Sequence, residues 1–112
     1  MKSKLTKATD ISLKVKKEAW ERDGGKCVVC GNRVNVMPNA HYIRRSQGGL
    51  GIAKNIFTAC TNLTGNQCHR RFDEGTEDEQ EKLGAKIRTY FKSVYPDWDE
   101  KDLYYRKYGE AP

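Results

Sequence analysis

The stretch Ala40-His41-Tyr42-Ile43-Arg44-Arg45-Ser46-Gln47-Gly48-Gly49-Leu50-Gly51-Ile52-Ala53-Lys54-Asn55 decides how this chain is read. It sets a histidine, two arginines, a glycine-rich loop and an asparagine in succession. Residues 40–43 read as a short strand. Residues 44–54 show no periodicity and contain three glycines, so they read as a loop. Residues 55–60 read as a second short strand, 61–67 as a polar loop, and 68–74 as a helix that opens on Cys68-His69-Arg70-Arg71-Phe72-Asp73.

Cysteines flank this block on both sides. Cys27-Val28-Val29-Cys30-Gly31 is a CxxCG knuckle, a tight turn that aims two thiolates at one point. Cys60 and Cys68 are separated by seven residues where two is usual, so the 61–67 loop must bulge outward for the thiols to converge. These four are all the cysteines in the chain. With no signal-peptide pattern at the N-terminus and no apolar run long enough to span a membrane, a cytosolic setting is expected. There, paired cysteines hold metal more often than disulfides. A structural zinc on Cys27, Cys30, Cys60 and Cys68 is the reading, with free thiols or a redox pair as alternatives.

Working outward, residues 1–11 read as a flexible basic arm. Ser12 is placed to cap a helix over 13–22, with Leu13, Val15, Ala19 and Trp20 toward one face. Residues 12–75 form the core of the expected domain. Residues 76–112 form a helical extension packed on it. That extension starts with a capping box, Thr76 to Glu79, and carries Leu83, Ile87, Tyr90, Phe91 and Val94 at helical spacing until Pro96 stops it. A last short helix, capped by Asp97 or Asp99, packs back through Trp98, Leu103 and Tyr104.

The 112 residues fit one domain. A 37% apolar and 32% charged composition gives a thin core that a metal staple would help. The net charge of +6 favours a polyanionic partner, and most of the positive excess falls before residue 72.

The chain has two histidines, His41 and His69, and they bracket Asn55 in strand, loop, strand, helix order. With Cys27-x-x-Cys30, Ala40-His41-Tyr42-Ile43, Arg45-Ser46-Gln47-Gly48-Gly49, Asn55, Cys60 and Cys68-His69, the segment 20–74 resembles the HNH endonuclease family. In particular it is similar to the small free-standing HNH proteins of bacteriophages and prophages. The resemblance implies an α+β fold: a small ββα-metal core stapled by the four-cysteine zinc site, with an N-terminal helix and C-terminal helices. It implies a metal-dependent endonuclease that nicks or cuts double-stranded DNA, leaving 5′-phosphate and 3′-hydroxyl ends, in the cytoplasm of a bacterial host. Phage packaging or recombination proteins are the partners it suggests, and no membrane.

In such a site His41 is the general base, since a neutral imidazole takes a proton from water. His69 matches the family's last histidine, a ligand to one catalytic divalent ion such as Mg²⁺ or Mn²⁺. Asp73 lies one helical turn on and faces the same way; the alternative is a solvated charge or a partner for Arg70. Asn55 either holds the His41 loop in place or is itself a metal ligand. Arg44, Arg45, Lys54, Arg70 and Arg71 cluster around the histidines as DNA phosphate contacts, extended by Lys14, Lys16 and Lys17. One residue departs from the pattern: Ala40 stands where the family often has a metal ligand. That departure favours the other reading, a non-catalytic zinc module that binds DNA or protein.

Overall fold

The computed structural model describes residues 3–61, 63 and 66–106. Its scaffold is a two-stranded antiparallel sheet, β1 (Val36–His41) and β2 (Ile56–Cys60). Helices α1 (Lys4–Thr9) and α2 (Leu13–Asp23) come before it. Helices α3 (Cys68–Glu74) and α4 (Glu77–Val94) follow, then a 3₁₀ turn over Glu100–Leu103. The fold is thus α+β, as expected. No helix among the described residues is long and apolar enough to cross a membrane.

Strand β1 takes in residues 36–39, which the sequence leaves open as a loop or weak strand because of Pro38, and ends at His41, two residues before expected. The register pairs Met37 with Ala59 and Ala40 with Phe57, so Pro38 and Asn39 together oppose the single residue Thr58. A bulge accommodates a residue with no N–H to give the ladder. Beyond it, His41 pairs with Ile56.

Local signals set the helix ends. Ser12 caps α2 by accepting a hydrogen bond from Val15 N, and Thr76 caps α4 by accepting from Glu79 N. Helix α4 stops at Val94 because Tyr95, which precedes Pro96, is extended. Leu83, Ile87 and Phe91 are buried along α4. Gly84, which would weaken an isolated helix, sits against α3: a Cβ there would stand 3.4 Å from the Phe72 ring. The core is aromatic. Phe91 stacks on Trp98 at 5.5 Å, Tyr42 stacks on Phe72 at 6.0 Å, and Phe57 meets both phenylalanines edge-on.

Two expectations need correction. Residues 3–10 of the expected flexible arm form the capped helix α1, with Ser3 Oγ accepting from Thr6 N. Met1 and Lys2 lie outside the described residues, as do 107–112 of the C-terminal extension. On α2, Leu13 is 83% and Trp20 39% exposed, so the expected apolar face is reduced to the buried Ala19 and the half-buried Val15. The helix is instead anchored by polar groups at its end: Asp23 is buried and bonded to Thr58 N at 2.8 Å.

Candidate active site

The thiols of Cys27, Cys30, Cys60 and Cys68 converge, all four sulfurs lying within 4.8 Å of one another, with no disulfide among them. The knuckle that begins this site is closed by Gly31, whose φ of 80° lets its N–H reach the Cys27 carbonyl at 2.8 Å. Val28 N bonds to Thr58 O, which docks the knuckle on β2. Cys60 ends β2 and Cys68 begins α3, so the cluster ties three parts of the fold together. In the 61–67 loop expected to bulge, residues 62, 64 and 65 lie outside the described residues. Four zinc-bound sulfurs at about 2.3 Å would stand about 3.8 Å apart, close to the 3.4 Å between Cys30 and Cys60. A hydrogen bond from the Cys68 thiol pushes Cys27 well below the ordinary thiol range, and the same bond pushes Cys68 up. The four cysteines fit a closed metal site.

A second feature is an open cleft of about 810 Å³ lined by Lys7, Asp10, Lys16, Asn39, His41, Arg44, Arg45, His69 and Asp73 among others. His41, at the end of β1, is 7% exposed, and its Nε2 lies 2.9 Å from the Thr9 carbonyl oxygen. His69 and Asp73 project from one face of α3, with Nε2 to Oδ2 at 3.1 Å. The structure therefore pairs Asp73 with His69, while Arg70 pairs with Glu74 at 3.6 Å. His69 and Asp73 offer two ligand atoms. Among the described residues, the four cysteines are the one group of three or more His, Cys, Asp or Glu side chains gathered closely enough to hold an ion.

Asn55 takes the holding role. It is fully buried and lines no part of the cleft. Its oxygen accepts from Ile43 N at 2.7 Å, and its amide donates to Ile43 O at 3.1 Å and Leu50 O at 2.8 Å. These bonds tie Ile43 and Leu50, on either side of the two arginines, to the residue that precedes β2. Ala40 is also fully buried and pairs with Phe57, so it presents no polar atom to the cleft.

The expected DNA contacts divide. Arg44 and Arg45 line the cleft, and Arg45 is paired with Asp10. Lys54 sits 3.3 Å from Asp97 and over the Tyr95 ring, away from the cleft. Arg70 and Arg71 pair with Glu74 and Glu79 and do not line it either. Their cluster in sequence is not a cluster at the cleft. Lys16, expected as an extension of the track, does line the cleft, and Lys14 and Lys17 do not. Lys7 joins Lys16 there. The signal for Lys7 was the lysine-rich composition of the arm.

No family model, curated protein or solved structure matches the chain.

Burial pushes His41 below its ordinary value near 6.5. The charges of Arg45 and His69 act in the same direction, and the Thr9 carbonyl and Asp73 oppose it. The ring is neutral at pH 7. The consequence for stability has a definite sign. Below about 6.5 the unfolded chain binds a proton that the folded chain does not. Stability from this group is full above that pH and declines as the pH falls toward the lower, folded value. Melting temperature should therefore drop more steeply from pH 7 to 5.5 in the wild type than in His41→Asn. Parallel melting curves for the two proteins would contradict the assignment.

Proposed function

We propose that this protein is a metal-dependent DNA endonuclease of the HNH type, with a structural zinc in the cysteine cluster. The observation that carries the reading is the neutral, buried His41 at one wall of a basic cleft, with the His69–Asp73 pair in the same cleft. Phosphodiester hydrolysis needs a base for water and compensation for charge on the phosphorus oxygens. His41 serves as the base. Arg44, Arg45, Lys7 and Lys16 grip flanking phosphates without reading sequence. Arg45 exchanges its Asp10 partner for DNA as it does so. A divalent ion held by His69 and Asp73 would offset charge on the scissile phosphate and leaving oxygen, with water and phosphate oxygens completing a shell to which Ala40 adds nothing.

The test is conversion of supercoiled plasmid to nicked and linear forms with Mg²⁺, Mn²⁺ or EDTA. Nicking should require the added ion, and His41→Ala should reduce it by about 10²- to 10⁴-fold. The buried Ala40 favours a second reading, a zinc-stabilised module that binds DNA without cutting it. Tight binding with no nicking in any metal, by folded protein, would select that reading.

A further inference from the structure

We propose that a second pocket, joined to the cleft by Arg44, holds a further backbone phosphate of the bound DNA. It encloses about 270 Å³ between the loop that follows β1 and helix α4. Its polar lining is Arg44 and Gln47 from the loop and Gln80 and Arg88 from α4. Tyr42 and Phe72, stacked at 6.0 Å, supply much of the apolar part. Among the described residues no aspartate or glutamate lines it, whereas Asp10 and Asp73 line the cleft. Two guanidiniums and two amides without a carboxylate suit an anion, and a guanidinium meets phosphate oxygens with paired donors.

Arg44 is the link, since it lines the pocket and the cleft alike. It is half-buried, and among the described residues its guanidinium has no hydrogen bond or ion pair. Arg45, next in sequence, is paired with Asp10. The Arg44 carbonyl accepts from Gln47 N at 2.9 Å, a turn that keeps these two residues together. The Gln47 side-chain amide likewise has no partner among the described residues. From the other side, Gln80, Gly84 and Arg88 recur every four residues, so one stripe of α4 faces the pocket. Gln80 Nε2 donates to Asp73 O at 3.0 Å and ties that stripe to α3. A Cβ on Gly84 would stand 3.4 Å from Arg88 Nη1, so the glycine leaves the guanidinium its room. Arg88 is oriented by one bond, Nη1 to the Tyr42 hydroxyl at 2.9 Å, and its remaining donors are unused among the described residues. Glu100 accepts from that hydroxyl at 2.6 Å and does not line the pocket. A phosphate seated here is gripped from the loop and from α4 at once, and a DNA strand in the cleft continues across Arg44 onto α4.

The pocket rests on the proposed DNA ligand and not on catalysis, so the test is binding. The affinity of zinc-loaded full-length protein for a fluorescent DNA duplex is measured by anisotropy across a salt series, without added Mg²⁺ or Mn²⁺. Each phosphate neutralised contributes about 0.9 to the slope of log K against log salt. Arg88→Gln should make that slope shallower by about 0.9 and weaken binding about eightfold at 0.1 M salt. Arg88→Lys should keep the slope. Lys86→Gln, which removes the same charge from α4 outside the pocket, should leave slope and affinity unchanged. If Arg88→Gln does not fold, Gln47→Lys replaces it; Gln47 is exposed, and the added charge should steepen the slope by about 0.9. An unaltered slope in the folded variant would overturn the proposal. So would equal losses from Arg88→Gln and Lys86→Gln, which would mark a diffuse charge effect. Inorganic phosphate that shifts the Arg88 Nε–H resonance of the wild type, with the DNA slope unaltered in Arg88→Gln, would assign the pocket to free phosphate and overturn it as well. The Arg88→Gln loss in a protein that never nicks DNA would refute the nuclease and leave the pocket standing. Nicking with an unaltered slope would do the reverse, and a wild type that binds no DNA would refute both.

Discussion

Stripping metal from the protein at neutral pH, or replacing Cys60 with serine, is expected to unfold it. The cluster is the junction of the knuckle after α2, the end of β2 and the start of α3. Without an ion, four sulfurs within 4.8 Å of one another are joined only by weak thiol hydrogen bonds such as the 3.4 Å contact of Cys30 with Cys60. A structural zinc supplies on the order of 10 kcal/mol of apparent folding free energy. A domain of this size has a net stability of about 5–15 kcal/mol, so such an ion would account for most of it. Circular dichroism melts with and without a strong chelator, beside a colorimetric zinc titration, measure this directly. One zinc per chain and loss of the cooperative transition on chelation are expected. A metal-free protein with an unchanged melt would show that the cysteines are only buried thiols.

The sequence made the ββα order legible because its punctuation is local. Ser12, Thr76 and Pro96 each act on their own few residues, and α3 starts and stops where Cys68 and Glu74 were expected to bound it. The cysteine cluster was legible because CxxCG has one geometric meaning. Helix α1 was not legible. Six residues with a single, exposed leucine have no apolar period to detect, and the helix is held by backbone contacts to Gly51 and His41 that lie more than thirty residues away.

The candidate site shows the same division. His41, His69 and Asp73 could be found by residue type and spacing, and they do line one cleft. For Asn55 the sequence offered holding the loop or binding metal and could not choose between them, because the choice rests on three hydrogen bonds to backbone atoms of Ile43 and Leu50. Lys54, Arg70 and Arg71 do not line the cleft, for a related reason. Sequence proximity to the histidines says nothing about facing carboxylates, and Lys54, Arg70 and Arg71 each meet one outside the cleft.

Asp23→Ala is expected to destabilise the fold by about 3–5 kcal/mol, the usual effect of removing one partner from a buried ion pair. In sequence Arg22-Asp23 reads as the polar end of a helix. In the fold the carboxylate is buried and accepts from Arg22 Nε at 2.7 Å, Arg22 Nη2 at 3.1 Å, Thr58 N at 2.8 Å and the Tyr90 hydroxyl. The guanidinium continues the network. It donates to Ala53 O at 2.6 Å and Ile56 O at 2.7 Å, and lies 5.2 Å from the Phe91 ring centre. One pair therefore joins the end of α2 to β2 and to α4. Removing Asp23 leaves a buried cation and an unpaired Thr58 N–H; the second loss alone costs about 1–3 kcal/mol. Replacing both residues with apolar ones of similar size, Arg22→Met with Asp23→Leu, should cost less than the sum of the single changes, since no buried charge is then left alone. Urea unfolding of zinc-saturated protein is the measurement. A loss below about 1 kcal/mol for Asp23→Ala would place the pair among exposed surface bridges. Its effect should extend to the cleft, because Ala53 and Ile56, which Arg22 holds, flank Asn55. Loosening that turn frees the loop that carries Arg44 and Arg45. If the protein is the proposed nuclease, nicking by Asp23→Ala, assayed below its melting temperature, should therefore fall more than the folded fraction alone explains.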